Sequence, residues 1–179
     1  MPSIGSIQRF EPDDNRPELL CGDDDLDEFY QIDSIESAKQ LLSVTYLVKL
    51  EDDTPCAFFS VFNDSVKKNQ KEVPRSAFER ISRLFPREKR YASVPAVKIG
   101  RLGVASDFQG AGVGQQVVDF LKEWFTSGNK TGCRFLLVDA YNQPNVTRFY
   151  EKNGFSFLTG GDEKEKTRIM YFDLGLYRA

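Results

Sequence analysis

The chain has 179 residues, 28% of them charged and 40% hydrophobic, which is enough to bury a core without disulfides or a structural metal. Its net charge is −3 and it contains no histidine, so histidine-based triads and histidine-containing zinc sites are excluded, and a proton carrier must be a carboxylate, a tyrosine or water. Three cysteines without paired spacing (Cys21, Cys56 and Cys133), the lack of a membrane-length apolar run and an opening MPSIGSIQRF without signal-peptide order predict reduced thiols and a cytoplasmic protein.

Ile4 to Phe10 reads as a first strand, followed by an acidic stretch in which residues 11 to 36 carry eleven acids and one base, Arg16. Asp23 to Asp25 lack the register of a calcium loop and fit a helix cap. The helix they cap begins near Leu26, with Phe29, Tyr30, Ile35, Ala38, Leu41 and Leu42 continuing its apolar face to about Ser43 and a break near Asp33. Thr45 to Leu50 and Cys56 to Phe62, separated by EDDTP, read as a strand pair, which makes the opening β-α-β-β. Cys56 and Cys133 lie in apolar, strand-like runs that belong in a core, and Cys21 lies in a loop.

Residues 66 to 90 are the most basic part of the chain. Lys67, Lys68, Lys71, Arg75, Arg80, Arg83, Arg87, Lys89 and Arg90 stand there against Glu72, Glu79 and Glu88. One reading is a solvated helix over Ser76 to Leu84 with charged flanks. The other is an electrostatic footprint for the phosphate backbone of RNA.

The stretch Lys98 to Phe125, KIGRLGVASDFQGAGVGQQVVDFLKEWF, joins a strand, a glycine-rich turn and a helix. Val97, Ile99, Leu102 and Val104 belong to the strand, and Val113, Val117, Leu121, Trp124 and Phe125 recur at helical spacing. Gly110, Gly112 and Gly114 allow close approach before a helix whose first N–H groups and dipole favour an anion. No Lys-Ser/Thr pair follows Gly114, which excludes a P-loop, and the dinucleotide fingerprint fails at Gln115 and at Val117. An ordinary glycine-rich turn remains the alternative. Phe135 to Val138 reads as a strand buried on both faces. Pro144 then starts a helix that runs to Lys152 and stops at Asn153-Gly154, and Phe155 to Leu158 and Thr167 to Leu176 are the last strands.

Gln109-Gly110-Ala111-Gly112-Val113-Gly114 resembles the Q/R-x-x-G-x-G/A pyrophosphate loop of the GNAT acetyltransferases. Asn145 followed by Phe149-Tyr150-Glu151-Lys152-Asn153-Gly154-Phe155 resembles the segment that closes the GNAT core. The resemblance covers most of the chain. It implies an α/β fold, a single GNAT domain over residues 1–179 with a mixed, strongly bent central sheet and helices on both faces. It also implies acetyl-CoA as co-substrate, held by Leu102, Gly103, Val104, the loop Gln109, Gly110, Ala111, Gly112, Val113 and Gly114, and by Asn145 and Phe149, with no metal. Tyr150 is the implied catalytic acid. A packed core tyrosine is the alternative.

More narrowly, FEPDD, LLCGDDDLDEFYQ, TYLVKLEDDTPCAFFSVFND and KIGRLGVASDFQGAGVG resemble the toxin-type GNAT enzymes of toxin-antitoxin modules. That resemblance implies acetylation of the α-amine of aminoacyl-tRNA, for which the basic residues 66 to 90 are the candidate contact, and is compatible with an antitoxin partner and a homodimer. The chain departs from it in its acidic balance and in Ser106-Asp107-Phe108, where basic residues often precede the loop. A small amine, a peptide acceptor and a non-catalytic acyl-CoA-binding module stay open. The absence of histidine bears on this choice. A lysine ε-amine, with pKa about 10.4, needs a base at neutral pH, whereas an α-amine near about 8 is partly neutral already. Asp139, at a strand end, is the one acid that reads as close to the cleft, and it is equally a cap.

Overall fold

The computed structural model describes residues 1–68, 73–86 and 91–177. Of the basic stretch, Lys71, Glu72, Arg87, Glu88, Lys89 and Arg90 lie outside the described residues. Seven strands follow the order β1-β2-β3-β4-β5-β7-β6 in one mixed sheet: β1 Ile4–Arg9, β2 Val44–Leu50, β3 Pro55–Lys67, β4 Ser93–Val104, β5 Phe135–Tyr141, β6 Ser156–Phe157 and β7 Thr167–Asp173. The chain divides into two compact units, Met1–Phe62 with Ile99–Leu121, and Asn63–Lys98 with Lys122–Ala179. Long strands β3 and β4 each contribute to both.

In the first unit β1, β2 and the start of β3 form an antiparallel meander, with Ile7 opposite Val48 and Tyr46 opposite Phe59. The helical region begins with α1, Asp24–Glu28, capped by Asp23, whose Oδ1 accepts from the Leu26 N–H at 3.1 Å. The expected break is a widened π segment, Phe29–Asp33, after which α2 runs over Ser34–Lys39. Widening lets two consecutive residues, Phe29 and Tyr30, both reach the core. They pack there with Phe10, Leu19, Cys21, Leu47 and Phe58. Leu41 and Leu42 depart from the expected apolar face. The helix ends at Lys39 and Leu41 turns left-handed (φ 58°), with its N–H on Ala38 O and that of Leu42 on Ser37 O. Both leucines are therefore exposed, at 91% and 66%.

In the second unit α3, Arg75–Ser82, is docked rather than solvated all round: Ala77, Phe78 and Ile81 are buried with Val66, Val94, Ala96, Phe135, Leu137 and Leu158. Strand β5 pairs antiparallel with β7 along its whole length, from Phe135 opposite Asp173 to Tyr141 opposite Thr167. Phe135 to Val138 are all buried, as their continuous apolar run requires. The last turns are α5, Pro144–Lys152, and α6, Leu174–Tyr177, while the last turn of α4, Val113–Thr126, also lies here. Among the described residues no helix is long and apolar enough to cross a membrane.

Arg134 ties the start of β5 to the end of β7. Its Nε and Nη2 donate to the two oxygens of Asp173 at 2.6 and 3.0 Å, and Asp173 Oδ1 also accepts from the Gly175 N–H at 2.8 Å. The Asp173 side chain is only 3% exposed. Asp173→Ala should lower unfolding stability by about 3 kcal/mol, because it leaves a partly buried guanidinium without its counter-charge. Urea denaturation measures this, and a loss below about 0.5 kcal/mol would rank the pair with exposed ion pairs.

Candidate active site

The turn between β4 and α4 is built by local chemistry. Ser106–Phe108 forms a single 3-10 turn, the Phe108 N–H bonds Ala105 O at 2.8 Å, and the chain reverses through Gly110 (φ 74°) and Gly112 (φ 86°). A side chain at either position would be strained. A Cβ at Gly110 would meet nothing within 4 Å, so that glycine faces open space. Helix α4 begins at Val113, so the N–H groups of Val113, Gly114 and Gln115 are the ones a helix start leaves without an intrahelical acceptor. Gly114 is already helical. The geometry fits an anionic group: open space at Gly110, donors without an intrahelical acceptor and the positive end of a fourteen-residue helix.

Gln109 works inside this turn. Its Nε2 donates to Val104 O at 3.0 Å and to Cys21 O at 2.7 Å, tying the loop to the strand before it and to the Leu20-Cys21 segment. Ser106 reinforces that tie, its N–H and Oγ both donating to Leu20 O, at 2.9 and 3.2 Å. Leu102, Gly103 and Val104 thus sit in one unit with Gln109 to Gly114. Gly103 is required by packing, since a Cβ there would run into the Phe58 ring and lie 2.7 Å from Cys21 Sγ. Burial, with the neighbouring Asp27 carboxylate, pushes the Cys21 thiol up to about 12, so it is not a ready nucleophile.

Asn145, Phe149 and Tyr150 stand on α5, in the other unit. Asn145 is exposed on the first turn and Phe149 is half-buried. The Tyr150 ring is buried between Phe149 and Phe155, with centroids 5.0 and 5.3 Å away. Desolvation raises its pKa well above the ordinary tyrosine value, so the phenol keeps its proton throughout the physiological range.

One cluster escaped the reading of motifs. Lys98, on β4, places Nζ 2.8 Å from Asp139 Oδ2 and 3.4 Å from Asp64 Oδ2, with its side chain only 16% exposed. Burial alone would lower the lysine pKa, but the hydrogen bonds and charges of Asp139 and Asp64 outweigh it and the net shift is upward. The ammonium is therefore fixed and Asp139 is engaged by it. The available signal was a lone charge between Val97 and Ile99 in a buried strand, which demands a partner. In the basic stretch, Arg80 Nη2 donates to Leu158 O at 2.8 Å and Arg75 Nε pairs with Glu79 at 2.6 Å, whereas Lys67, Lys68 and Arg83 are exposed.

Among curated protein sequences nothing matches the chain. Solved structures do match in fold. A bacterial toxin superposes with a TM-score of 0.75 at 17% identity, covering 98% of this chain and 93% of the other. AtaT complexed with acetyl-methionyl-tRNA gives 0.75 at 18%, covering 97% and 96%. AtaTR bound with acetyl-CoA gives 0.73 at 18%, covering 97% and 98%. The model of the acetyltransferase (GNAT) domain matches residues 66–157, which include β4, the glycine turn, α4 and the Tyr150 helix. More than half of the sequence carries that match, and the chain belongs to the GNAT acetyltransferase family.

Proposed function

We propose that the protein is an acetyl-CoA-dependent N-acetyltransferase, a single GNAT domain acting on a primary amine of low pKa, with the α-amine of aminoacyl-tRNA as the leading acceptor. The observation that carries the reading is the turn at Gly110 and Gly112: left-handed at both glycines, open at Gly110 and followed by the N–H groups a helix start leaves without an intrahelical acceptor, within the segment that matches the family. The backbone of Gln109 to Gly114 would hold the diphosphate of the co-substrate, with Gln109 shaping the loop through its side chain. Acetyl-CoA supplies an activated acetyl thioester. N–H groups of the β4 end, Leu102 to Val104, would donate to the acyl oxygen as negative charge develops there. Asn145 and Phe149 would orient the co-substrate from α5. The neutral amine would attack the thioester carbon. The C–S bond would break with Tyr150, protonated at neutral pH, giving its proton to the departing thiolate, and the proton shed by the new amide nitrogen would return through solvent to Tyr150. Asp139 is a poor general base because Lys98 already holds it. That engagement favours an amine which is partly neutral on its own.

The toxin-like acceptor rests on the fold shared with AtaT, whose complex contains acetyl-methionyl-tRNA, and on the exposed bases of the second unit. The same comparison supports an antitoxin partner, since another match is AtaT bound to the C-terminus of the antitoxin AtaR. A small-amine or peptide acceptor is the reading favoured instead if charge plays no part, given that Arg75 and Arg80 are engaged within the fold.

Three expectations follow from this chemistry. Gly112→Glu puts a side chain and a negative charge on the left-handed turn, so calorimetry should show loss of acetyl-CoA binding with the melting temperature largely kept; unchanged affinity would end the co-substrate assignment. For the acid, Tyr150→Phe should lower turnover by roughly 10²- to 10⁴-fold with acetyl-CoA affinity little altered. A variant that turns over like wild type makes Tyr150 a packing residue. The acceptor is tested by replacing Lys68 and Arg83 together with Glu, sparing Arg80, whose bond to Leu158 O makes it structural. Acetylation of charged tRNA should fall by about tenfold or more and weaken steeply with salt, while a small free amine is unaffected. Equal loss for both acceptors would remove RNA from the proposal.

A further inference from the structure

The side-chain amide of Gln116, on the first turn of α4, is wholly engaged by the first residues of the chain. Its Oε1 accepts from the Ile4 N–H at 3.1 Å and its Nε2 donates to Pro2 O at 2.8 Å. These two bonds, on either side of Ser3, fix the segment in one register along the helix start. Beyond them Met1 reaches the glycine turn: its Sδ lies 2.7 Å and its Cγ 3.5 Å from where a Cβ of Gly112 would stand. The left-handed turn that gives an anion access to the helix N–H groups therefore has a thioether resting on one of its two glycines.

What keeps Met1 there is not burial, because it is 93% exposed. Nor is it the sheet. Pairing of β1 with β2 begins at Ile4 opposite Leu50 and is irregular between Ile4 and Ser6. The latch is the amide of Gln116. Neither the glycine motif nor the helix pattern asks for an amide at this position, whose apolar neighbours Val113 and Val117 supply the buried face.

We propose that Gln116 is a positioning residue for acyl-CoA entry: it latches Met1–Ile4 over Gly112, and the diphosphate reaches the turn by displacing that segment. This rests on the acyl-CoA reading of the turn. The latched state cannot hold the diphosphate, so the observed affinity is the intrinsic affinity reduced by the unlatched fraction. Each neutral hydrogen bond is worth a factor of about two to ten in that equilibrium.

Gln116→Leu keeps the volume and helix propensity of the residue and removes both bonds. Calorimetry with acetyl-CoA should show binding tightened about three- to tenfold over wild type, with both proteins checked by thermal melting. A merely structural role would loosen the helix start and weaken binding. An independent readout uses the unmodified protein: hydrogen exchange at the Ile4 amide should accelerate when acetyl-CoA saturates the site. If wild type binds acetyl-CoA while Gln116→Leu binds it equally or more weakly, or if the Ile4 amide becomes more protected on binding, the latch is refuted and the acyl-CoA reading stands. If neither protein binds acetyl-CoA, both readings fall.

Discussion

The first unit depends on one constraint: the chain must leave β4, reverse within a few residues and enter α4 with its first N–H groups outside the helix's own bonding. Two left-handed residues make the reversal, at Gly110 and Gly112, where any other residue would cost roughly 1–2 kcal/mol. Left-handed turns without further restraint are loose. Here Gln109 removes that freedom by donating to a carbonyl of the strand it has just left and to Cys21 in the preceding segment. The same crowding that brings Cys21 to the turn forces Gly103, because Phe58 and Cys21 fill the space of a side chain. The backbone donors of the turn are thus held in place by the protein's own bonds, which is what the proposed binding of an anionic group there would require.

Under the proposed mechanism, burial in the second unit would organise the proton traffic. A tyrosine wrapped by Phe149 and Phe155 cannot ionise near neutrality, so it can donate a proton but offers no base. The carboxylate that could have served as a base, Asp139, shares Lys98 with Asp64. Freeing it would leave a largely buried ammonium short of one counter-charge, a costly exchange. Acid without base is a workable arrangement only for a nucleophile that arrives partly deprotonated, and this is where the absence of histidine and the ion-pair geometry reach the same conclusion.

Much of this was legible where local chemistry dictates structure. Asp23 caps its helix, Pro144 opens α5 and Asn153-Gly154 closes it with Gly154 left-handed, and the run Phe135 to Val138 is a buried strand. Features set by tertiary context were not legible. Leu41 and Leu42 continue a helical apolar pattern, yet the chain turns left-handed at a leucine, where neither Gly nor Asn marks the stop. The π segment follows from seating Phe29 and Tyr30 side by side against Phe58. In the candidate site, Gly110 and Gly112 announce themselves through conformation. Gln109 stands in the motif, but its bonds to Val104 and Cys21 do not show there, and Gln116 does not announce itself at all, because an amide bonded to distant backbone looks in sequence like any polar surface residue.

The basic stretch shows how folding edits a charge pattern. Read linearly, nine bases in twenty-five residues suggest a broad phosphate-binding face. Once α3 turns Ala77, Phe78 and Ile81 inward, its arginines are separated by role: Arg80 satisfies a carbonyl of the core, Arg75 answers Glu79, and Arg83 remains outside. With Lys67 and Lys68, the described part of this stretch offers about three phosphate contacts, which corresponds to a salt slope of about −2 to −3. Three such contacts serve to orient an RNA end. Phosphate contacts position an acceptor without identifying it, so under the proposed reading an RNA acceptor is selected at its aminoacyl end, where the chemistry of the amine decides which molecule is acetylated.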